Sequence, residues 1–99
     1  MKIPNELDGA KVIQYTNNVP SNDYGIVLYE EESTKKEVKI TGIAIAKYED
    51  AEGFNLFSCD LNWQVIGDYF YFTLVEAINE ACDGFGVKSN DWCLVDKQS

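Results

Sequence analysis

Helical spacing is confined to one short stretch near the end of the chain, and this limits the possible folds more than any other feature of the sequence. Thr73 and Glu76 form a T-x-x-E capping box. Leu74, Ile78 and Cys82, joined by Val75, Ala77 and Ala81, recur as an apolar stripe, and Gly84 supplies a stop. Glu76, Asn79, Glu80 and Asp83 make the opposite face acidic. The chain before this helix reads as strands and turns.

Lys11–Thr16 is β-branched and aromatic and follows the turn-forming Asp8-Gly9, so it reads as a first strand. Residues 17–23 gather Asn, Pro, Ser and Asp into a loop, and Gly25–Glu30 reads as a second strand. Glu31–Lys36 is expected to be a charged hairpin connection. Glu37–Tyr48 starts with Val38 and Ile40 alternating against Lys39 and Thr41, then turns apolar on both faces at Ile43-Ala44-Ile45-Ala46. That change predicts a central strand covered on both sides, with Gly42 as a candidate bulge. Residues 49–53 form an acidic turn, Phe54–Cys59 returns antiparallel, Trp63–Ile66 makes a short strand, and Asp91–Val95 makes a last one.

The expectation is therefore an α+β fold: an antiparallel sheet of four to five strands with one C-terminal amphipathic helix packed on one face. Ninety-nine residues suit one such domain, spanning 1–99, and 45% apolar residues can supply its core. Trp63 and Trp92 are expected inside it.

The ionisable residues exclude more than they suggest. Seventeen Asp and Glu stand against eight cations, all of them Lys, giving a net charge of −9. Such a surface repels nucleic acid and anionic membranes. Without His there is no Ser-His-Asp or Cys-His mechanism, and without Arg there is no bidentate anion clamp. No phosphate-binding glycine motif is present. Asp60-Leu61-Asn62-Trp63-Gln64 opens like an EF-hand loop, but Val65 stands where glycine is required. Asp50, Glu52, Asp60 and Asp68 could pair for hydrolysis, yet read better as solvated loop charge. The chain is thus expected to be no enzyme and to carry no metal or cofactor. Cys59, Cys82 and Cys93, without a C-x-x-C pair, are expected to be buried reduced thiols. The start lacks an apolar signal region and no later run could span a bilayer, so a cytoplasmic protein is expected.

A function must then come from the surface. Glu30, Glu31, Glu32, Glu49, Asp50, Glu52 and Asp68 concentrate charge in turns, an arrangement that attracts a basic protein. Tyr69-Phe70-Tyr71-Phe72 adds four consecutive aromatics, of which about two should face outward in an extended segment. Tyr69 and Tyr71 are the candidate anchors.

The stretch from Gly42 to Trp92 resembles a group of small acidic bacterial proteins of uncharacterised function. The likeness rests on the apolar strand, Tyr48, an acidic turn ending in Gly53-Phe54, a strand ending in Cys59-Asp60, Trp63, Asp68 and the helix start Thr73-Leu74 with Ala77. The segment from Thr16 to Ile40 and the run Tyr69 to Phe72 depart from that pattern. In size, charge and lack of catalytic residues the chain also resembles the immunity proteins that accompany bacterial toxins, including those of contact-dependent growth inhibition. That resemblance implies a toxin inhibitor, a monomer or weak homodimer, which occludes a basic protein toxin of the nuclease class. A DNA-mimicking or regulatory protein-binding module is the alternative.

Overall fold

The computed structural model describes residues 2–95. In chain order it runs β1 (Glu6–Leu7), β2 (Ala10–Thr16), β3 (Ile26–Glu31), β4 (Thr34–Lys39), β5 (Gly42–Lys47), β6 (Phe54–Cys59), β7 (Val65–Tyr71), α1 (Leu74–Phe85), a 3-10 turn (Ser89–Asp91) and β8 (Trp92–Leu94). The main sheet is antiparallel in the order β1-β2-β5-β6-β7. β8 shares the outer edge of β2 with β1, pairing Gln14, Tyr15 and Thr16 while β1 pairs Ala10 and Lys11. β3 and β4 form a separate two-stranded sheet. The fold is α+β, with one α-helix among the described residues, packed on the main sheet.

β5 explains why both faces are covered. Ile43 and Ile45 point to the helix and pack with Leu56, Ala77, Ala81 and Val87, while Ala44 and Ala46 point the other way, towards Val12, Phe57, Cys59 and Trp63. The alternation of large and small residues follows the period of two in a strand. Leu7 and Ala10, from the β1–β2 hairpin, close the second layer. Its turn is Asp8-Gly9, both with positive φ, as a two-residue hairpin of matching twist requires.

Several expectations are corrected. The segment expected as one strand from Glu37 to Tyr48 breaks after Ile40, where the backbone changes partners. Ile40 exchanges hydrogen bonds with Tyr24 and Gly25 at the base of the small hairpin, whereas the Thr41 N–H donates to Cys59. Gly42 begins β5 and is no bulge. The extra residues are Ile13, between Val12 and Gln14, and Ile66, opposite the Ser58–Cys59 step. The long connection expected over 31–36 shrinks to Glu32-Ser33, because pairing continues to Glu31 and Thr34 and leaves two residues with positive φ to close the turn. Trp63 belongs to a turn and the following strand runs on to Tyr71. Asp60 Oδ1 accepts from the N–H groups of Asn62 and Gln64, and the Trp63 N–H donates to the Asp60 carbonyl, which holds the chain in a tight reversal.

In α1 both arms of the capping box form between Thr73 and Glu76. The helix passes Gly84 and stops at Gly86, which adopts the left-handed conformation while its N–H and that of Val87 take the last carbonyls. The buried stripe is narrower than expected: Leu74, Ala77, Ile78, Ala81 and Phe85 suffice to cover the sheet. Val75 and Cys82, seven apart and on one line, are left outside it, Val75 at 66% exposure. Of the three thiols expected inside, Cys59 alone is buried; Cys82 and Cys93 are exposed. Trp63 is buried at 4% exposure, and Trp92 is half-buried at the rim of the helix-side core.

Candidate functional site: an aromatic pair among carboxylates

β7 ends the main sheet, paired with β6 on one side only. Because side chains alternate along it, the strand presents two different surfaces. Tyr69 and Tyr71, opposite Leu56 and Phe54, lie on the helix side. Tyr71 packs into the core, where burial, then the Glu80 carboxylate, hold its hydroxyl pKa above the usual value. Tyr69 rests its ring 5.9 Å from that of Phe85. Asp68 and Phe70, opposite Phe57 and Asn55, lie on the other side.

On that second side Phe70 and Phe72 stand edge to face with centroids 5.1 Å apart. They are 47% and 67% exposed, unusual for adjacent phenyl rings on a small protein. Phe70 lies over Gly53, at the end of the acidic turn. A β-carbon at Gly53 would stand 2.5 Å from the Phe70 ring and would also meet the Tyr71 carbonyl. The missing side chain is what lets the aromatic strand close on the turn.

Carboxylates lie on the same face and in the neighbouring turn. The buried Asn55 amide donates to Asp68 Oδ1 at 2.7 Å and fixes that carboxylate on the face. The Tyr48 hydroxyl donates to the Asp8 carbonyl at 2.9 Å, and its pKa is raised by desolvation first, then by Asp68 and Asp8. Glu49, Asp50 and Glu52 are exposed in the turn beside Gly53. Lys47 is occupied at the base of this turn, donating to the Ala51 carbonyl at 2.7 Å. Among the described residues, no group of three or more His, Cys, Asp or Glu is placed to hold a metal ion.

The nine residues singled out from the sequence therefore divide. Asp68 shares the Phe70 face of β7, and Glu49, Asp50 and Glu52 lie in the turn that ends at Gly53 beneath the ring. Glu30, Glu31 and Glu32 lie at the far tip of the β3–β4 hairpin, which meets the sheet at the Gly42 end of β5, a strand's length from the Glu49 turn. Glu30 faces Lys35 across that hairpin, and the side chain of Glu31 lies outside what the structure describes. Tyr69 and Tyr71 face the helix. Tyr69 is nonetheless exposed, about as much as Phe70, whereas sequence reasoning did not single out the further exposed rings of Phe70 and Phe72. The signal available was the period of two, which puts Phe70 on the face opposite its tyrosine neighbours but does not say how far either face is covered.

No protein-family model, curated protein sequence or solved structure matches the chain. No helix among the described residues is long and apolar enough to cross a membrane.

Proposed function

We propose that this chain is an immunity-type inhibitor, a cytoplasmic protein that binds a basic toxin of the nuclease class and covers its active site or substrate groove. The observation that carries this reading is the exposed Phe70–Phe72 pair, on the face that bears Asp68 and next to the turn of Glu49, Asp50 and Glu52. Aromatic anchors inside a charged rim are what tight protein interfaces use: the rings supply binding energy and the rim selects the partner. The net charge of −9 favours a basic partner, and a chain without His or Arg is better suited to blocking chemistry than to performing it.

The test is a panel of purified basic nuclease toxins, each assayed for DNA or RNA cleavage with and without the protein at equimolar ratio. Inhibition of one toxin, lost in the double variant Phe70→Ala/Phe72→Ala, is the expected result. Equal inhibition of unrelated DNA-binding proteins would favour nucleic-acid mimicry instead. Failure against every member would overturn the inhibitor reading.

A further inference from the structure

Beyond its bulge at Ile66, the outer edge of β7 is open from Gly67 to Tyr71. Edge strands in isolated proteins are blunted by charged residues, above all lysines, by prolines, bulges or short length, because unpaired N–H and C=O groups recruit another strand. The five residues past the bulge contain neither Lys nor Pro; their one charge, Asp68, is anionic, and they carry two exposed aromatics, Tyr69 and Phe70, on the two faces. Among the described residues, no loop or side chain hydrogen-bonds to its backbone.

We infer that β7 is completed by an extended, Lys- or Arg-bearing segment of the partner, which adds as a further strand of the sheet. This rests on the reading of the surface as a binding site and specifies how it is filled. Charge selects the occupant. A strand laid along β7 places alternate side chains beside Asp68 and Phe70 on one face, and beside Tyr69 and the Glu80 carboxylate near Tyr71 on the other. Both faces therefore favour cations next to apolar side chains. A second copy of this chain would bring its own carboxylates against these, with −9 on each molecule. Main-chain pairing supplies affinity and the alternating side chains supply selectivity, as in other strand-addition complexes.

The probe is a synthetic peptide of alternating Lys and Val, seven residues long, compared with its Glu-for-Lys counterpart and with the same Lys peptide N-methylated along one edge. Amide chemical shifts and hydrogen exchange of the intact protein are the readouts. The expected result is binding of the Lys peptide with shifts centred on residues 67–70 and slowing of exchange at least tenfold for amides of β7. The Glu peptide should not bind, and N-methylation should weaken binding at least tenfold. If the N-methylated peptide binds equally well, or shifts fall elsewhere, or no peptide binds, the strand-addition inference is overturned. So it is if the protein dimerises through β7. The toxin panel is read independently, so an inhibitor that docks by side chains alone would be recognised as such.

Discussion

The indole of Trp63 stands 3.0 Å from where a β-carbon on Gly42 would lie, and the Asn18 side-chain nitrogen is closer still, at 2.7 Å. Asn18 cannot retreat easily. Its amide donates to the Asp60 carbonyl at 2.7 Å and its oxygen accepts from the Thr41 hydroxyl at 2.5 Å. Gly42→Ala should thus overpack the junction between hairpin and sheet and destabilise the protein by ~1–3 kcal/mol. Urea unfolding measures it, with a lowered midpoint at unchanged slope as the expected outcome. An unchanged midpoint would mean that the packing of Asn18 and Trp63 against Gly42 is loose.

Thiol chemistry should separate the cysteines. Burial pushes the Cys59 thiol up to about 12, with the Asp60 and Asp8 carboxylates adding to the effect, while Cys82 and Cys93 are exposed. A thiol-specific reagent at pH 8 should modify two thiols in the native protein and the third only on unfolding, since the thiolate is the reactive form. Rapid native modification of all three would contradict the packing of Cys59 beside Trp63.

Alkaline pH should destabilise the fold through its tyrosines. The pKa values of Tyr24, Tyr48 and Tyr71 all lie above the ordinary 10.0, in each case chiefly because burial disfavours the phenolate. The folded state keeps these protons longer than the unfolded chain does. Their contribution to stability is complete below pH 10 and is lost as pH rises through the raised values. Stability measured between pH 8 and 11 should fall above pH 10, and less steeply in Tyr48→Phe than in the unaltered protein. A flat profile would remove the tyrosines as titrating partners of the fold.

Binding kinetics should distinguish rim from anchor. Replacing Glu49, Asp50 and Glu52 by their amides should slow association with a basic partner severalfold at low salt. The difference should vanish near 1 M, where the Debye length is about 3 Å. Phe70→Ala should instead speed dissociation, costing ~2 kcal/mol or more if the ring is a hot spot. Association indifferent to both salt and charge removal would leave the acidic excess with no role in binding.

How much of this was readable from the chain depends on how locally each feature is determined. The helix start was legible because Thr73 and Glu76 satisfy each other within one turn. The two-sided burial of β5 was legible because four successive apolar residues leave no solvent face. The break after Ile40 was not, since it arises from partners at residues 24, 25 and 59, far along the sequence. Cys82 and Val75 were misplaced because helical spacing gives the direction of a stripe but not its width. The candidate site was half visible: the acidic turn and Asp68 are apparent in the sequence, whereas Phe70 over Gly53 is a contact between neighbouring strands. Of the two tyrosines chosen as anchors, Tyr69 is exposed about as much as Phe70 and Tyr71 packs in the core, because the helix covers only part of its face of β7.

The β3–β4 hairpin has a further consequence. It packs on the body through Tyr24, Val27 and Ile40 at its base, while Leu28, further out, is 71% exposed. Its tip contributes nothing to either core, so the arm can drift in sequence, or be swapped between related chains, without disturbing the sheet that carries it. Length can vary as well, provided residues are gained or lost equally from both strands, so that Glu31 and Thr34 still meet at the turn. Each such step of one residue turns the tip over to the opposite face. Descendants of one scaffold could in this way offer alternate sides of the same arm to different neighbours.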